Sequence, residues 1–325
     1  MCGFTGFAHD DPRGVVDAQE LTRMTRTLVH RGPDDEGFHS AHGVGLGFRR
    51  LSIIDPAHGH QPLVLPDQSF ALVGNGEIYN YSELAEELRR DGCRLATGSD
   101  MEVVLHLFAK EGSACFERLE GMFALAIVDF SNRLSPRVTL ARDRMGIKPL
   151  YRARHKARLW FASEPKALLA SGQFSRSVRG AAMVEYLMRG FVGGSESAWD
   201  GIERLEPGTS LEWVSGQVPV LRTWWTPPLT GPSPAPEDGE VLEYLDRAVS
   251  QRLVSDVPLG GFLSGGVDSA GVADAMGRAA GRPPELCTVS FREEEFDEAG
   301  WLVSAPNAWV PCTMWPFKNQ TRRRS

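Results

Sequence analysis

Apolar residues recur at helical spacing in three stretches of the first half of the chain. The first stretch follows Asp17 and Glu20, which have the spacing of a capping box, so we predict that a helix starts there and ends before Gly32. A second helix is predicted to start at Ser82 and to stop at Gly92. The apolar positions that define the three helices are Leu21, Met24 and Leu28; Leu84 and Leu88; and Val103, Val104, Leu107 and Phe108.

Short runs of apolar and β-branched residues predict strands around these helices. The predicted strands cover 70–73, 122–129, 137–141 and 159–162. Because helices and strands come in separate groups rather than in strict alternation, the pattern predicts a layered α+β domain.

The pattern changes after a proline-rich segment at 226–236, which is interpreted as a linker because it can hold neither a helix nor a central strand. Beyond it, we predict a helix over 241–253, a strand over 259–263, a helix over 267–280 and a strand over 286–291. A strand, loop, helix and strand in this order predict a parallel α/β sheet. Two strands and two helices would leave much apolar surface uncovered, since parallel sheets are stable mainly when both faces are covered.

Composition is that of an ordinary globular protein and argues against several functional classes. The 325 residues are enough for two domains, and 42% are hydrophobic and 24% charged. The net charge of −7 argues against coating nucleic acid, and no apolar run is long enough to span a membrane. The first ten residues also lack the features of a signal peptide. We therefore expect a cytoplasmic protein that binds neither nucleic acid nor membranes.

Five cysteines, at positions 2, 93, 115, 287 and 312, are too few and too scattered for a disulfide framework or a metal site. Cys2 is the unusual one, because removal of Met1 would place a free α-amine beside its thiol. The amine titrates near pH ~8 and the thiol near ~8.5, so one residue can supply both the nucleophile and its base. Gly3 lets the backbone approach a substrate closely. For Cys2 taken by itself, a buried or incidental cysteine is the alternative.

Five further motifs follow Cys2 in the chain. They are His-Arg-Gly-Pro-Asp-Asp-Glu-Gly at 30–37, Gly-Phe-Arg-Arg-Leu-Ser-Ile-Ile-Asp at 47–55, Gly-Asn-Gly-Glu-Ile-Tyr-Asn-Tyr at 74–81, Ser99-Asp100, and Leu-Ala-Arg-Asp-Arg-Met-Gly-Ile-Lys-Pro-Leu-Tyr at 140–151. Together they resemble the class II glutamine amidotransferases, and specifically the glutamine-hydrolysing asparagine synthetase family, over about residues 1–298. The resemblance implies a four-layer αββα N-terminal nucleophile hydrolase fold for the first domain.

The resemblance also implies a glutaminase site. Cys2 would be the nucleophile, and Asn75 and Gly76 would supply the side-chain and backbone N–H groups of an oxyanion hole. For Asn75-Gly76 alone, the alternative is a plain hairpin turn. Arg50 would bind the α-carboxylate of glutamine through two parallel hydrogen bonds, and Asp100 would bind its ammonium group. The residues expected to bind glutamine are Arg50, Leu51, Ser52, Ile53, Ile54, Asn75, Gly76, Glu77 and Asp100.

Several other residues of these motifs have structural interpretations. Arg31 and Arg49 are interpreted as surface or loop-bracing arginines, and Asp143 with Arg144 as a structural ion pair. Gly74 departs from the resemblance, because the family commonly has an apolar residue at this position. The departure removes no chemical group from the site, although it loosens the predicted strand that leads to Asn75.

A glycine-rich loop lies between the predicted strand and helix of the second half. Backbone N–H groups of such a loop, with the positive end of the helix behind them, form a nest for phosphate, and the loop lacks the Gly-Lys-Ser/Thr of a Walker motif. It resembles the pyrophosphate loop of the ATP-pyrophosphatases, which implies an adenine nucleotide α-hydrolase-like α/β domain, incomplete here, with Asp268 holding Mg²⁺. The residues expected to bind ATP are Leu263, Ser264, Gly265, Gly266, Val267, Asp268, Ser269 and Val289.

The resemblance divides the chain into four segments. These are a glutaminase domain at 1–186, connecting strands and a linker at 187–239, the first part of an ATP-pyrophosphatase domain at 240–298, and an aberrant or disordered tail at 299–325. Since the family's synthetase domain continues much further, we expect a truncated or frame-shifted chain.

The family activity would be hydrolysis of glutamine at Cys2 and amidation of aspartate by the released ammonia, with ATP converted to AMP and pyrophosphate. A second hypothesis is a free-standing glutaminase or ammonia-donating subunit, and a third is an inactive, non-enzymatic folded module. Sugar-isomerase and phosphoribosyl-transferase amidotransferases share the first domain type, but the loop at 264–269 argues against both. Another carboxylate as the acceptor, and a homodimer as the assembly, stay open.

Overall fold

Two stacked antiparallel sheets form the centre of the first unit of the chain, which ends at Leu229. The structure is a computed structural model that describes residues 1–229, 239–264, 266–290 and 312–316. The strands of this unit are β1 (Gly3–His9), β2 (Asp35–Ala41), β3 (Val44–Arg50), β4 (Leu63–Val64), β5 (Phe70–Ile78), β6 (Gly121–Asp129), β7 (Arg137–Arg142), β8 (Tyr151–His155), β9 (Arg158–Ala162), β10 (Ile202–Arg204), β11 (Thr209–Val214) and β12 (Val220–Thr223). Its helices are α1 (Ala18–Arg26), α2 (Tyr81–Arg90), α3 (Asp100–Glu111), α4 (Pro165–Ala170) and α5 (Gly180–Arg189), with a 3₁₀ segment at Gly112–Arg118.

The first sheet has the order β10-β8-β9-β1-β3-β2 and the second has the order β12-β11-β7-β6-β5-β4. The main apolar core lies between them and includes Phe4, Leu46, Phe48, Val73, Leu140, Phe161 and Trp213. A second cluster joins β5 and β6 to α2 and α3, and a third joins β1 and β9 to α1 and α4. The layers are therefore helices, sheet, sheet and helices, the αββα arrangement that the resemblance implies. Strands β10 to β12, within the predicted connecting segment, pair into these two sheets.

The capping box predicted for α1 is only half formed. Asp17 caps the helix, because its carboxylate accepts a hydrogen bond from the N–H of Gln19 at 2.9 Å. Glu20 does not complete the box, since its carboxylate pairs with Arg158 of β9 at 3.1 Å. The helix ends before Leu28, which nevertheless packs into the core from the turn that follows.

The predicted start of α2 at Ser82 is wrong. The helix begins directly after Asn80, whose side chain donates to the carbonyl of Arg118 at 2.9 Å and accepts from the N–H of Glu120 at 3.0 Å. Contacts with a distant segment, rather than a local cap, therefore mark this helix start. The predicted stop is confirmed, because Gly92 follows the helix with a φ of +87°.

Strand β5 is longer than predicted and contains Asn75 and Gly76. These two residues pair with Ala124 and Phe123 of β6, so the hairpin-turn alternative for them is wrong. Strands β1 and β3 were not predicted, because glycines interrupt their apolar pattern. Gly6 is one of them, and a Cβ at this position would lie 2.5 Å from the ring of Phe161.

The second unit begins at Thr230 and contains a parallel sheet, as predicted. Its elements are α6 (Glu240–Ser250), β13 (Gly260–Phe262), α7 (Val267–Ala280), β14 (Glu285–Ser290) and β15 (Cys312–Pro316). Strand β15 lies where the sequence predicted no regular element, and it pairs in parallel with β14. The other residues of the predicted tail, and residues 291–298, lie outside the described ranges.

The described part of the second unit has a small core. Val249, Ala275 and Met276 form its buried cluster. The predicted uncovered apolar surface is present at Val241, Leu242, Tyr244, Leu259, Phe262, Val267 and Val272, which are all exposed. Across both units, no described helix has the length and apolar character needed to cross a membrane.

Candidate active site

One pocket of the first unit brings together most of the residues predicted to bind glutamine. Its lining consists of Met1, Cys2, Arg50, Leu51, Ile53, Ile54, Gly59, Gln61, Gly74, Asn75, Gly76, Glu77, Ser99, Asp100, Met101 and Lys148. Among the predicted residues only Ser52 does not line it, and its N–H donates to Asp34 at 2.8 Å instead. The lining comes from the start of β1, the segment after β3, the second half of β5 and the start of α3, which are far apart in the chain.

The Cys2 thiol lies beside the first residue after β3. Its Sγ is 3.5 Å from the carbonyl oxygen of Leu51, to which the thiol can donate, and 3.4 Å from the nitrogen of Leu51, whose N–H can donate to the sulfur. Burial raises the pKa of this thiol, while the Leu51 N–H, the α-amine of the chain and Arg50 act to lower it. The Leu51 N–H is therefore a donor that favours the thiolate form.

Arg31 holds the backbone of Cys2 in place. Its Nε donates to the Cys2 carbonyl at 2.8 Å, and its Nη1 pairs with Glu164 at 3.0 Å. Although partial burial opposes ionisation, hydrogen bonds from Arg31, His30 and Lys166 hold the pKa of Glu164 at about 2. Glu164 therefore stays ionised at neutral pH and supports Arg31, which agrees with the bracing role predicted for this arginine.

Arg49 also braces a loop, as predicted. Its guanidinium donates to the carbonyls of Gly32 and Pro33 at 2.8 and 3.2 Å and pairs with Glu36 at 3.0 Å. All three partners belong to the motif at 30–37, so Arg49 ties that motif to the end of β3.

The edge of β5 is open where it meets the pocket, because β4 starts only after Pro62 and pairs with Leu72 and Ala71 alone. Past that point, side chains take the place of a strand. Gln61 accepts from the N–H of Gly74 at 2.7 Å and donates to its carbonyl at 3.2 Å. The carboxylate of Asp100, the first residue of α3, accepts from the N–H of Ile78 at 2.9 Å.

Gly76 lies midway between these two supported positions. Because alternate residues of a strand turn their N–H groups to the same side, the N–H of Gly76 faces the same edge as those of Gly74 and Ile78. The neighbouring Asn75 is only 2% exposed, and its side-chain nitrogen has no hydrogen-bond partner among the described residues. Adjacent residues of β5 therefore offer one backbone and one side-chain N–H group, the donor set of an oxyanion hole.

A methyl group at Gly76 is expected to destabilise the protein. The Cβ of Gly76→Ala would lie 2.2 Å from the carbonyl oxygen of Met122 and 2.7 Å from the Cα of Phe123, both in the backbone of β6. Because these atoms cannot move without breaking the sheet, we expect a loss of about 1–3 kcal/mol in the free energy of unfolding, measured with urea. Gly180→Ala is the control, since nothing lies within 4 Å of its Cβ. Equal stability of the two variants would contradict the packing described here.

Asp100 is a buried carboxyl group that borders the pocket. Burial, together with the charge of Glu77, raises its pKa to about 6, although hydrogen bonds from the N–H groups of Ile78 and Met101 act to lower the pKa. Its protonation therefore changes near neutral pH, which is unusual for an aspartate.

Arg50 binds its own loop in this structure. Its guanidinium donates to the carbonyls of Ile54, Asp55 and Pro56 at 3.2, 2.6 and 2.9 Å. Since an arginine has five N–H donors, these three bonds leave others for a ligand. The fork onto a substrate carboxylate stays a prediction, and the structure adds that Arg50 shapes the segment containing Ile54.

The ion pair predicted between Asp143 and Arg144 is wrong. Arg144 donates to the carbonyl of Glu117 at 3.0 Å. The Asp143 carboxylate instead accepts hydrogen bonds, at 2.9 to 3.2 Å, from the backbone N–H groups of Phe123, Met145, Ile147 and Lys148. A single buried carboxylate thereby shapes the loop after β7 and brings Lys148 to the pocket.

Gln61 and Lys148 are lining residues with polar side chains to which the sequence assigned no role. Gln61 belongs to none of the quoted motifs, and nothing in the sequence around it indicated a role beside Gly74. Lys148 lies inside the motif at 140–151, but no chemistry was assigned to it. A pattern of residue types does not show which loop residue will reach a pocket built from distant strands.

The predicted ATP loop of the second unit follows β13. Its Ser264 N–H donates to the hydroxyl of Ser269 at 3.2 Å, the two hydroxyls are 3.1 Å apart, and Ser269 donates to the carbonyl of Gly266 at 3.0 Å. Val267 and Asp268 are exposed in the first turn of α7, and Gly265 lies outside the described residues.

The two predicted adenine contacts lie on the neighbouring strands. Leu263 is directly after β13, and its carbonyl accepts from the hydroxyl of Thr288 at 2.8 Å. Val289 follows Thr288 in β14 and is partly exposed. The structure thus places the described members of this predicted set around one end of the parallel sheet.

Comparison with known proteins agrees with this arrangement. Residues 1–225 match the family model of the glutamine amidotransferase domain, and residues 240–305 match that of asparagine synthase. Asparagine synthetase [glutamine-hydrolyzing] 1 of Bacillus subtilis is 37% identical over 306 residues, covering 92% of this chain and 47% of that protein. A putative asparagine synthetase [glutamine-hydrolyzing] of Mycobacterium tuberculosis is 35% identical over 335 residues, covering 95% and 50%. The chain therefore spans about half the length of these curated relatives.

A solved structure of the allosteric regulatory enzyme of purine biosynthesis has the same fold, with a TM-score of 0.51 at 18% identity over 90% of this chain and 66% of that chain. The family models, the curated relatives and the ordered motifs agree with one another. The chain therefore belongs to the glutamine amidotransferase domain family, and it is similar to glutamine-hydrolysing asparagine synthetases over about half of their length.

Proposed function

We propose that the first unit hydrolyses glutamine with Cys2 as the nucleophile. The observation that carries this proposal is one pocket that contains the Cys2 thiol, the Asn75 side-chain nitrogen, for which the described residues provide no partner, and the open N–H edge at Gly76. A nucleophile beside two adjacent hydrogen-bond donors is what acyl transfer requires.

The reaction would begin with removal of Met1, which frees the α-amine of Cys2. That amine takes the thiol proton, directly or through a water, and the sulfur attacks the carboxamide carbon of glutamine. The negative charge that forms on the carboxamide oxygen is stabilised by the Asn75 side-chain N–H and the Gly76 backbone N–H. The carbon–nitrogen bond then breaks as the nitrogen takes the proton back and leaves as ammonia. Water hydrolyses the thioester to glutamate and regenerates the thiol.

Charged groups at the pocket would hold the amino-acid end of glutamine. The Asp100 carboxylate, which lines the pocket, would pair with the substrate ammonium, and Arg50 would use its remaining N–H donors for the α-carboxylate. The segment with Ile53 and Ile54, held in shape by Arg50, supplies the remaining contacts together with the backbone of Glu77.

Glutamine hydrolysis is expected to lose efficiency in mild acid. The pKa of Asp100 is raised to about 6, so its carboxylate is present above that pH and is neutralised below it. We expect kcat/KM for glutamine to fall about tenfold per pH unit below this point, because the neutral acid no longer pairs with the substrate ammonium. The measurement is glutamate release between pH 4.5 and 8, with circular dichroism to confirm that the protein stays folded. A profile that remains flat down to pH 5 would contradict this role, and Asp100→Asn is expected to abolish the inflection.

For the second unit we propose ATP binding at the loop before α7. The hydroxyls of Ser264 and Ser269 and the N-terminal end of the helix fit the phosphates. The described residues contain no group of three or more His, Cys, Asp or Glu that could hold a metal ion alone. Mg²⁺ commonly binds one or two carboxylates together with substrate phosphates, so Asp268 fits that role. When bound, the ion would neutralise charge on the phosphates.

The whole reaction would be amidation of aspartate by the ammonia released at Cys2, with ATP converted to AMP and pyrophosphate. Glutaminase activity without synthesis, or supply of ammonia to a separate synthetase chain, is the second candidate. The exposed apolar side chains of α6, β13 and α7 favour this second candidate. The proposed boundaries between the parts are 186, 239 and 298, as the motifs indicate.

Assays of glutamate and asparagine separate these functions. We expect the purified chain to release glutamate from glutamine, measured with a coupled glutamate dehydrogenase assay. Asparagine formed when ATP, Mg²⁺ and aspartate are added would support the complete reaction, and its absence would support glutaminase activity alone. Failure to release glutamate from a chain shown by mass spectrometry to begin at Cys2 would overturn the proposal.

A further inference from the structure

Lys148 lines the glutamine pocket, and both its backbone N–H and its backbone C=O are held by hydrogen bonds. Its N–H donates to the Asp143 carboxylate at 2.9 Å, and its carbonyl accepts from the Nε of Arg142 at 2.8 Å. The residue is only 5% exposed. Three of the four N–H bonds to Asp143 come from the loop that Lys148 ends and the fourth comes from Phe123 of β6, so buried groups fix the position of the Lys148 backbone.

The Lys148 ammonium has no dedicated counter-ion in the described part of the chain. None of the ion pairs or side-chain hydrogen bonds of the described residues involves its Nζ, although the residue as a whole is largely buried and lines the same pocket as Cys2. Burial lowers its pKa, while the charges of Glu77, Cys2 and Asp143 raise it and that of Arg31 lowers it. The ammonium therefore interacts electrostatically with several charged groups of the pocket rather than with a single carboxylate.

The charges around the nucleophile come from every element that borders it. They are Lys148 and Asp143 after β7, Arg31 after α1, Asp34 before β2, Arg50 at the end of β3, Glu77 in β5 and Asp100 in α3. In the chain that begins at Met1, burial lowers the pKa of the Met1 α-amine, and the charges of Arg31 and Lys148 also lower it, while those of Cys2 and Asp34 raise it. Nearby cations thus disfavour protonation of the amine and favour the thiolate.

We propose that Lys148 is a positioning residue whose positive charge promotes loss of the first proton from the thiol–amine pair of Cys2, which makes the nucleophile reactive at neutral pH. This inference rests on the function proposed above. Before that loss the pair carries one positive charge, and afterwards it carries none, whichever atom keeps the remaining proton. A fixed cation repels the first state more than the second, so the transition moves to lower pH.

Alkylation of Cys2 by iodoacetamide tests the inference without requiring glutamine turnover. The rate is measured between pH 5 and 10 by mass spectrometry of the N-terminal peptide, on chains that begin at Cys2. In a plot of alkylation rate against pH, the rate rises as the thiol loses its proton, and we call this part of the plot the rising limb. For Lys148→Gln and Lys148→Met we expect the rising limb to move up by about one pH unit, so that the alkylation rate at pH 7 is about tenfold below that of the unmodified chain. Lys148→Arg, which keeps the charge, is expected to restore the original limb.

The matched control is Lys110→Gln, because Lys110 lies on the surface and pairs with Asp91 at 2.6 Å. This variant is expected to leave the limb unchanged. An unchanged limb in both neutral variants, with thermal unfolding like that of the unmodified chain, would overturn the role of Lys148. A folded Lys148→Arg that matches the neutral variants would also overturn it. Loss of glutaminase activity in the unmodified chain, with the alkylation shift intact, would count against the proposed function alone.

Discussion

Cys2→Ala is expected to lower glutamate release from glutamine by at least about 10³-fold, because removal of a covalent nucleophile leaves only binding and oxyanion stabilisation. No other described thiol lines the pocket; Cys93 and Cys115 pack with the cluster around α2 and α3. The measurement is the steady-state rate of glutamate production by the mature variant and by the unmodified chain.

The fold is not expected to change with the activity. The thiol makes hydrogen bonds only to the backbone of Leu51 among the described residues, so the midpoint of thermal unfolding should stay within a few degrees. Cys93→Ala is the control, because Cys93 is partly buried outside the pocket. It is expected to retain activity. Undiminished hydrolysis by Cys2→Ala would rule out the covalent mechanism.

Asn75→Ala is expected to lower kcat for glutamine hydrolysis by about 10²–10³-fold, the usual loss when one oxyanion-hole donor is removed. The side-chain nitrogen of Asn75 is buried and has no partner in the described part of the chain, so its hydrogen bond would form only with the reacting oxygen. Since the interaction is stronger in the transition state, KM should change much less than kcat. Steady-state kinetics over a range of glutamine concentrations measure both quantities.

The stability of Asn75→Ala should not fall with its activity. Removing a buried donor that lacks a partner removes a cost of about 1–3 kcal/mol, which offsets the lost packing. Asn132→Ala provides the control, because Asn132 lies in an exposed turn between β6 and β7 and accepts from Leu134 at 3.1 Å. Normal kcat for Asn75→Ala, or an equal loss in Asn132→Ala, would contradict the assignment of the oxyanion hole.

Local patterns predicted the helices well where the signal lies within the element. Residues Val103 and Leu107 lie on a strongly apolar helix, and α3 forms where they predict it. The start of α2 could not be predicted, because Asn80 bonds to a segment almost forty residues away. Strand β3 escaped prediction for a related reason. It is buried along its whole length and contains Gly45 and Gly47, so no alternating pattern marks it.

By itself, the sequence determined which residue types the proposed chemistry rests on. Cys2, Asn75 and Asp100 stand out because their motifs occur in the order of the family that the chain resembles, and reaction chemistry depends on those residue types. The sequence also predicted that β13 and β14 are parallel, because a strand that is followed by a glycine loop and a helix is usually connected to a parallel neighbouring strand.

Only the tertiary structure decided how the site is assembled. It extended β5 through Gly76, replaced a neighbouring strand by the side chain of Gln61, and used Asp143 to bring Lys148 into the pocket. The physical reason is that these positions depend on hydrogen bonds between backbone groups and side chains far apart in sequence. Such bonds form because buried N–H and C=O groups must find partners, and the identity of the partner follows from the packing of two sheets.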